Sequence, residues 1–483
     1  MNRPIIRLYG LVALLFALLV AFTSRWTVFE ASSLRENPLN ARLVLEQQRI
    51  RRGPIVAADG TVLARSVRTG AGTYERTYPP GEAFAAAIGF SYVASFGSTG
   101  LELFRNSELN GQSNGNVQSI LDQLQGKQPA GDKVVTTLDP RAQQVANAAL
   151  AGHEGAVVAL EPRSGAVTVM ASSPSFDPNK LRTKAGTAQL ERETSATPPR
   201  RSELNRATQF GYAPGSTFKV LTATAAIDSG AYTPASTVNG RNDVPISGVP
   251  LQNDENESFG QIPLTQALAK SVNTVWAQVA ERLGKRTMAR YMARFGFDRK
   301  PRLDYPATEM SSSGEHAGAT LVAPTSSSVD VGRMGIGQDK LVVTPLQMAE
   351  VAAAVADHGT LMVPHLTGRV VDSEGRTVET ISPQVQSVVM KPSSAAAVTA
   401  MMEAVVKEGT GTAAQIPGVA VAGKTGTAET QIANKINNVW FIAFAPAADP
   451  KVAIAVTLKG VPGFGGAFAA PIAKAVIERL LHD

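Results

Sequence analysis

The sequence contains no cysteine. Disulfides, thiolate metal sites and a cysteine nucleophile are all excluded by that one fact. Any nucleophile must be Ser, Thr, Lys or a carboxylate. Histidine is scarce, and His153, His316, His358, His365 and His482 show neither HExxH nor any other ligand spacing, so neither a metal nor a cofactor is expected. Aromatic residues make up only 6% of the chain and are not interleaved with basic runs, while the net charge of +6 is spread along its length. That pattern argues against a nucleic-acid groove. It suits an anionic membrane surface or wall polymer, or simply a solvated face. At 44% hydrophobic and 18% charged residues, the composition is globular rather than disordered or polytopic. The 483 residues are too many for one ordinary domain of ~100–200 residues.

One apolar run stands out, Leu8 to Phe22, preceded by Arg3 and Arg7 and followed by Arg25 and Trp26. Basic residues on the first side place the remainder of the chain outside the cytoplasm. A span needs about 17–25 residues, which Ile5 and Ile6 supply if Arg7 snorkels. A cleaved signal peptide is the competing reading, with Ala31-Ser32-Ser33 the nearest small-residue site and rather far downstream. The expectation is an uncleaved single-pass anchor over 5–26, a cytoplasmic tail over 1–4 and an extracytoplasmic remainder at the plasma membrane.

Residues 27–136 read as a non-catalytic module of short segments. Arg52-Gly53-Pro54-Ile55-Val56 leads to Asp59-Gly60 between apolar runs, a hairpin turn. Leu109 to Lys133 is rich in Gly, Asn and Gln, and is expected to be a connector. From residue 137 the texture changes. Asp139-Pro140 caps a helical pattern through Leu150, and Gly155 to Leu160 and Val167 to Ala171 flank a Pro162-Arg163-Ser164-Gly165 turn. A second strand pair, Val439 to Ala445 and Val452 to Leu458, precedes a helix expected over Pro471 to Leu481. Strands at both ends with long helical patterns between them, such as Leu346 to Ala356, predict one antiparallel sheet closed by the two ends of the region.

Three short elements carry chemistry. Ser216 and Lys219 open a helical pattern with Phe218, Leu221 and Ala225 on one face and a stop at Gly230. Three residues apart, they project from one side of the first turn. A serine hydroxyl needs a base, and lysine serves only if burial or nearby positive charge lowers its pKa. Alone, Ser216 reads equally well as a helix cap. Ser271-Val272-Asn273 lies at a junction between two helical patterns, where Ser271 can relay a proton and Asn273 can hold a substrate amide. By itself this element reads more readily as a cap. Lys424-Thr425-Gly426-Thr427 follows the strand-like Val419 to Ala422. On an edge strand it offers backbone N–H groups to a peptide, with Gly426 allowing close approach. Lys424 would attract a terminal carboxylate and help depress Lys219. Taken singly it is an ordinary lysine and a turn glycine; the coincidence of all three decides otherwise.

In that order, Ser216-Thr-Phe-Lys219, Ser271-Val-Asn273 and Lys424-Thr-Gly-Thr427 resemble the signature elements of penicillin-binding proteins and serine β-lactamases. Gly100-Leu101-Glu102, Asn205-Arg206-Ala207, Gly335-Ile336-Gly337-Gln338 and Thr344-Pro345-Leu346-Gln347-Met348, together with Arg52 to Ile55 and Asp59-Gly60, extend the resemblance to class B penicillin-binding proteins. The short actinobacterial penicillin-binding protein A sequences look most similar. The resemblance implies an α+β, β-lactamase/transpeptidase-like catalytic domain over 137–483, with an antiparallel sheet, helices on both faces and an all-helical subdomain, beside a mixed α/β pedestal.

By the same resemblance, Ser216 attacks the carbonyl between two terminal D-alanines of a peptidoglycan stem peptide, Lys219 is the base and Ser271 relays protons. Asn273 and Thr425 orient substrate, and the N–H groups of Ser216 and Thr427 form the oxyanion hole. β-Lactam antibiotics would trap Ser216. Val272 stands where many relatives carry Asp. No room is left before the transpeptidase region for a glycan-polymerising domain, so a polytopic polymerase of the shape, elongation, division and sporulation family is the implied partner. A D,D-carboxypeptidase or β-lactamase shares the acylation step, although no Glu in an ExxLN context follows the second motif. A non-catalytic β-lactam sensor or division scaffold is the third reading.

Overall fold

The computed structural model describes residues 3–25, 48–70, 72–92, 97–112, 130–197, 200–431 and 436–482. Trp26, the Ala31-Ser32-Ser33 site and most of the 109–133 connector lie outside the described residues. The apolar run forms a helix, Arg3–Ser24, of 22 residues with none buried. At 1.5 Å per residue it measures about 33 Å, enough to cross a hydrocarbon core of about 30 Å.

A six-stranded sheet follows, in the spatial order Thr377–Thr380, Thr367–Val371, Lys133–Thr136, Ile55–Val56, Val62–Arg68, Tyr74–Thr77. Asp59-Gly60 makes the expected hairpin, pairing Val56 with Val62, and the Asp59 carboxylate accepts from the Thr61 N–H at 2.8 Å. Ile55 pairs in parallel with Val134. The two outer strands arrive from far along the chain, with Val370 opposite Val134, so the sheet spans the division expected at 136/137. Beside it, the fully buried Glu102 carboxylate receives Arg52 Nε and Arg76 Nε, each at 2.6 Å. Burial pushes that carboxyl upward, but the Arg76 and Arg52 guanidiniums outweigh it and hold the group below the usual carboxylate range. The Arg52 and Glu102 segments singled out in the sequence are thus one ion cluster. A tie to the larger module runs from the Gly100 N–H to the Glu309 carboxylate at 3.0 Å.

That larger module is organised by a five-stranded antiparallel sheet ordered Ala422–Gln431, Ile436–Ala445, Val452–Pro462, Glu154–Leu160, Val167–Ser173. Alternate residues feed two cores. Ala156, Val158, Ile442 and Phe444 face one that contains the Pro345–Ala356 helix. Val157, Ala159, Phe441 and Ala443 face the other, with Ala142 and Ala146 of the Pro140–Leu150 helix. Both faces are covered, so the strands read as near-continuous apolar runs rather than as a polar/apolar alternation. Asp139 caps the Pro140–Leu150 helix as expected, its side chain accepting from the Ala142 N–H.

The last helix differs from expectation. It runs Gly465–Leu481 with Pro471 inside it. Proline at a helix start is the usual pattern because its missing N–H has no intrahelical partner there. Here Ala469 and Ala470, ahead of the proline, are fully buried against the sheet, and that packing extends the helix past the lost hydrogen bond. Within the other core, helices Lys219–Asp228, Leu264–Ala269, Asn273–Arg294 and Pro392–Glu408 pack on one another as the helical subdomain.

Candidate active site

Ser216 sits on a single tight turn, Gly215–Phe218 of 3-10 type, that feeds the buried Lys219–Asp228 helix. The turn is fixed from several directions. Trp440 Nε1 donates to the Ala213 carbonyl at 2.9 Å, the Gly215 N–H donates to the Gly337 carbonyl at 3.0 Å, and Phe218 packs edge-on against Phe297. Gly215 has φ 51°, the left-handed region that glycine tolerates, and a Cβ there would stand 2.4 Å from the Thr427 carbonyl oxygen. The nucleophile turn and the edge strand Ala422–Gln431 therefore meet backbone to backbone. Ser216 is not a cap: Pro214 precedes the turn and no side-chain cap bond is made there.

Lys219 is fully buried. Its Nζ donates to the Ser271 carbonyl and to Asn273 Oδ1, both at 2.6 Å, and lies 3.3 Å from Ser271 Oγ. Ser271 stands between helices Leu264–Ala269 and Asn273–Arg294 with φ 59°, and this bend turns both its carbonyl and its hydroxyl toward the lysines. Lys424 Nζ reaches the same hydroxyl at 3.0 Å and the Thr425 carbonyl at 3.0 Å. Thr425 Oγ1 lies 2.6 Å from Thr410 Oγ1.

Burial, opposed by the Asp254 carboxylate, lowers the Lys219 amine from 10.5 to about 7. Lys424 is held well below the ordinary lysine value, by burial first and then by repulsion from Lys219. From the sequence, Lys424 is expected to share in the depression of Lys219. Burial is its principal cause, and repulsion belongs to the pair, since two ammonium groups around one hydroxyl cannot both keep their protons cheaply. A neutral Lys219 has two N–H groups, and two carbonyl-type acceptors at 2.6 Å take them. The remaining lone pair is then free to receive a proton.

Ser216, Ser271, Asn273, Thr425 and Thr427 line one cleft of about 760 Å³, and Lys219 and Lys424 lie beneath it. The structure thus brings all three elements together. Two of these residues also have partners within the chain. Gly426 makes room for the nucleophile turn, because a Cβ there would stand 2.7 Å from the Pro214 carbonyl oxygen and 2.9 Å from the Thr217 methyl. The Asn273 amide is already engaged, its Oδ1 by Lys219 and its Nδ2 by the Gln252 carbonyl and Asp254 Oδ1, each at 3.2 Å. Sequence reasoning missed Asp254, Arg333 and Phe464, which also line the cleft. The acidic and amide-rich run Asn253-Asp254-Glu255-Asn256 was the available signal for the first.

Residues 155–478 match the penicillin binding protein transpeptidase domain, and residues 52–134 match the penicillin binding protein A dimerisation domain. The chain is 36% identical to the peptidoglycan D,D-transpeptidase PbpA of Mycolicibacterium smegmatis, over 100% of both chains. It is 35% identical to PbpA of Mycobacterium tuberculosis, over 100% of this chain and 99% of the other. Among solved structures, the ceftriaxone acyl-enzyme complex of M. tuberculosis penicillin-binding protein A superposes with a TM-score of 0.82 at 35% identity, covering 91% of this chain and all of that one. The penicillin G acyl-enzyme complex of the same protein gives 0.79 at 34%, covering 89% and 100%. Motif order, sheet architecture and full-length similarity agree: the chain belongs to the penicillin-binding protein transpeptidase family.

Proposed function

We propose that Ser216 carries the acyl group in this chain, which is a serine-type peptidoglycan D,D-transpeptidase acting in cell-wall synthesis. The observation that carries the assignment is the shared hydroxyl: Ser271 Oγ lies within 3.3 Å of Lys219 Nζ and 3.0 Å of Lys424 Nζ, at the floor of the cleft that Ser216 lines.

In the first half-reaction, neutral Lys219 takes the Ser216 proton as Oγ attacks the carbonyl between the two terminal D-alanines of a stem peptide. The backbone N–H groups of Ser216 and Thr427, on segments that touch, hold the oxyanion. Collapse breaks the peptide bond. The proton on Lys219 passes through Ser271 to the departing amine, free D-alanine leaves, and an ester remains on Ser216. In the second half, an amine of a neighbouring stem peptide attacks the ester and gives up a proton to Lys219. Ser216 Oγ leaves and recovers that proton, and the new amide is the cross-link. Lys424 and Thr425 attract the terminal carboxylate, and Asn273 holds the lysine in register. β-Lactams enter the same path and stop at the Ser216 ester.

The Arg3–Ser24 helix supports a single-pass anchor, with Arg3 and Arg7 on the cytoplasmic side and both sheet-containing modules outside. Residues 27–136 then form a pedestal or dimerisation module, completed by the hairpin at 367–380. Glycan strands come from a partner, and the resemblance favours a polytopic polymerase. Offered a donor stem peptide and a D-amino acid acceptor, the protein should release exchanged product in excess of hydrolysed product. Hydrolysis alone would make it a carboxypeptidase, and no turnover with intact penicillin labelling would make it a sensor.

A further inference from the structure

The segment from Gln252 to Glu257 forms one wall of the cleft, and it is tightly braced. Asn253 is buried. Its Oδ1 accepts from the Thr274 N–H at 3.0 Å, and its Nδ2 donates to the carbonyls of Gly240 at 3.0 Å and Glu257 at 2.9 Å. Glu255 and Asn256 turn the chain through left-handed conformations, with φ 55° and 58°. The brace fixes Asp254 with its Oδ1 3.2 Å from Asn273 Nδ2, while the Gln252 carbonyl takes the same nitrogen at 3.2 Å. A carboxylate and a carbonyl only accept. The Asn273 amide therefore has one permitted orientation, nitrogen toward the wall and oxygen toward Lys219 at 2.6 Å. A flipped amide would set oxygen against two acceptors and NH₂ against the N–H groups of the lysine.

We infer that Asp254 is a positioning residue of the transpeptidase centre: it locks the Asn273 amide toward Lys219 and supplies the counter-charge for the buried Lys219–Lys424 pair. This rests on the reading of Lys219 as the base. The groups that bear on Lys219 are Lys424 from the edge strand and Asp254 from the cleft wall, with Glu255 and Arg333 further along the same cleft. Asp254 favours the protonated amine and so raises the pH at which the base is ready. Because its carboxylate is exposed to solvent, that influence is screened by salt, unlike a hydrogen-bonded brace.

The test is the second-order rate of acylation by a fluorescent penicillin, measured on the full-length protein in detergent from roughly pH 5 to 9, for wild type, Asp254→Asn and Asp254→Glu. Asp254→Asn keeps an Oδ1 acceptor for Asn273 Nδ2 but loses the charge, and should move the rising limb to lower pH. The displacement of the limb should shrink at about 1 M salt, and Asp254→Glu should return the limb toward wild type. The midpoint of the limb does not depend on the fraction of active protein, so partial misfolding cannot imitate its shift. A wild-type limb on which the Asp254→Asn profile superimposes overturns this inference alone. A flat wild-type profile overturns the reading of Lys219 and this inference with it.

Discussion

Lys219 and Lys424 address one hydroxyl from two sides, with Ser271 Oγ at 3.3 Å from the first amine and 3.0 Å from the second. Ser271→Ala should therefore cost both the proton path and the registration of the pair. Acylation by penicillin should fall about 10²- to 10⁴-fold, the range for loss of a positioned proton-transfer group, while the thermal transition moves little. Stopped-flow acylation beside calorimetry on the same preparation separates the two effects.

The lowered pKa of Lys219 has a consequence for stability. In the folded protein the amine loses its proton near 7, whereas in the unfolded chain it keeps it to about 10.5. Between those values the unfolded state binds more protons, so the contribution of Lys219 to stability rises with pH across that window. Below about 7 both states are protonated and the cost of burying the charge stands in full. Lys219→Met should abolish acylation and weaken the rise of the urea-unfolding midpoint with pH above neutrality, leaving the share that belongs to Lys424. An unchanged slope would place the shifted group elsewhere.

Gly426 lies against the Pro214 carbonyl. A methyl group inserted there must displace the turn that carries Ser216. Gly426→Ala should cost about 1–3 kcal/mol, as overpacking does, and should lower acylation more than it lowers stability. Equal acylation per folded molecule would show that the turn has room to spare.

The cluster at Glu102 is a stability element remote from the chemistry. Glu102→Ala strands Arg52 and Arg76 without their shared carboxylate, and removing one partner from a buried ion pair costs about 3–5 kcal/mol. A lowered unfolding temperature, with penicillin binding retained in the protein that folds, is the expected outcome by differential calorimetry.

The three site elements were legible because each is local: a serine and a lysine one turn apart, a polar triplet between helices, a lysine at the start of a strand. The central sheet was legible for a related reason, since hairpins such as Gly155 to Ala171 pair neighbours in sequence. What escaped lies between segments. Nothing local marks Thr367–Val371 as a partner of Lys133–Thr136. Asp254 acts through Asn273, a residue 19 positions away. The space beside Gly426 is filled by a turn from a distant part of the chain. The extra turn before Pro471 follows from buried alanines, where tertiary packing outweighs the local preference of proline.

The claim on which the rest depends is that Ser216 is acylated. Fluorescent penicillin should label the full-length protein covalently, and tryptic mapping should place the added mass on the peptide Ala207 to Lys219, whose only serine is Ser216. Ser216→Ala should remain unlabelled. Label on another peptide, or equal labelling of the Ser216→Ala protein, would contradict the account.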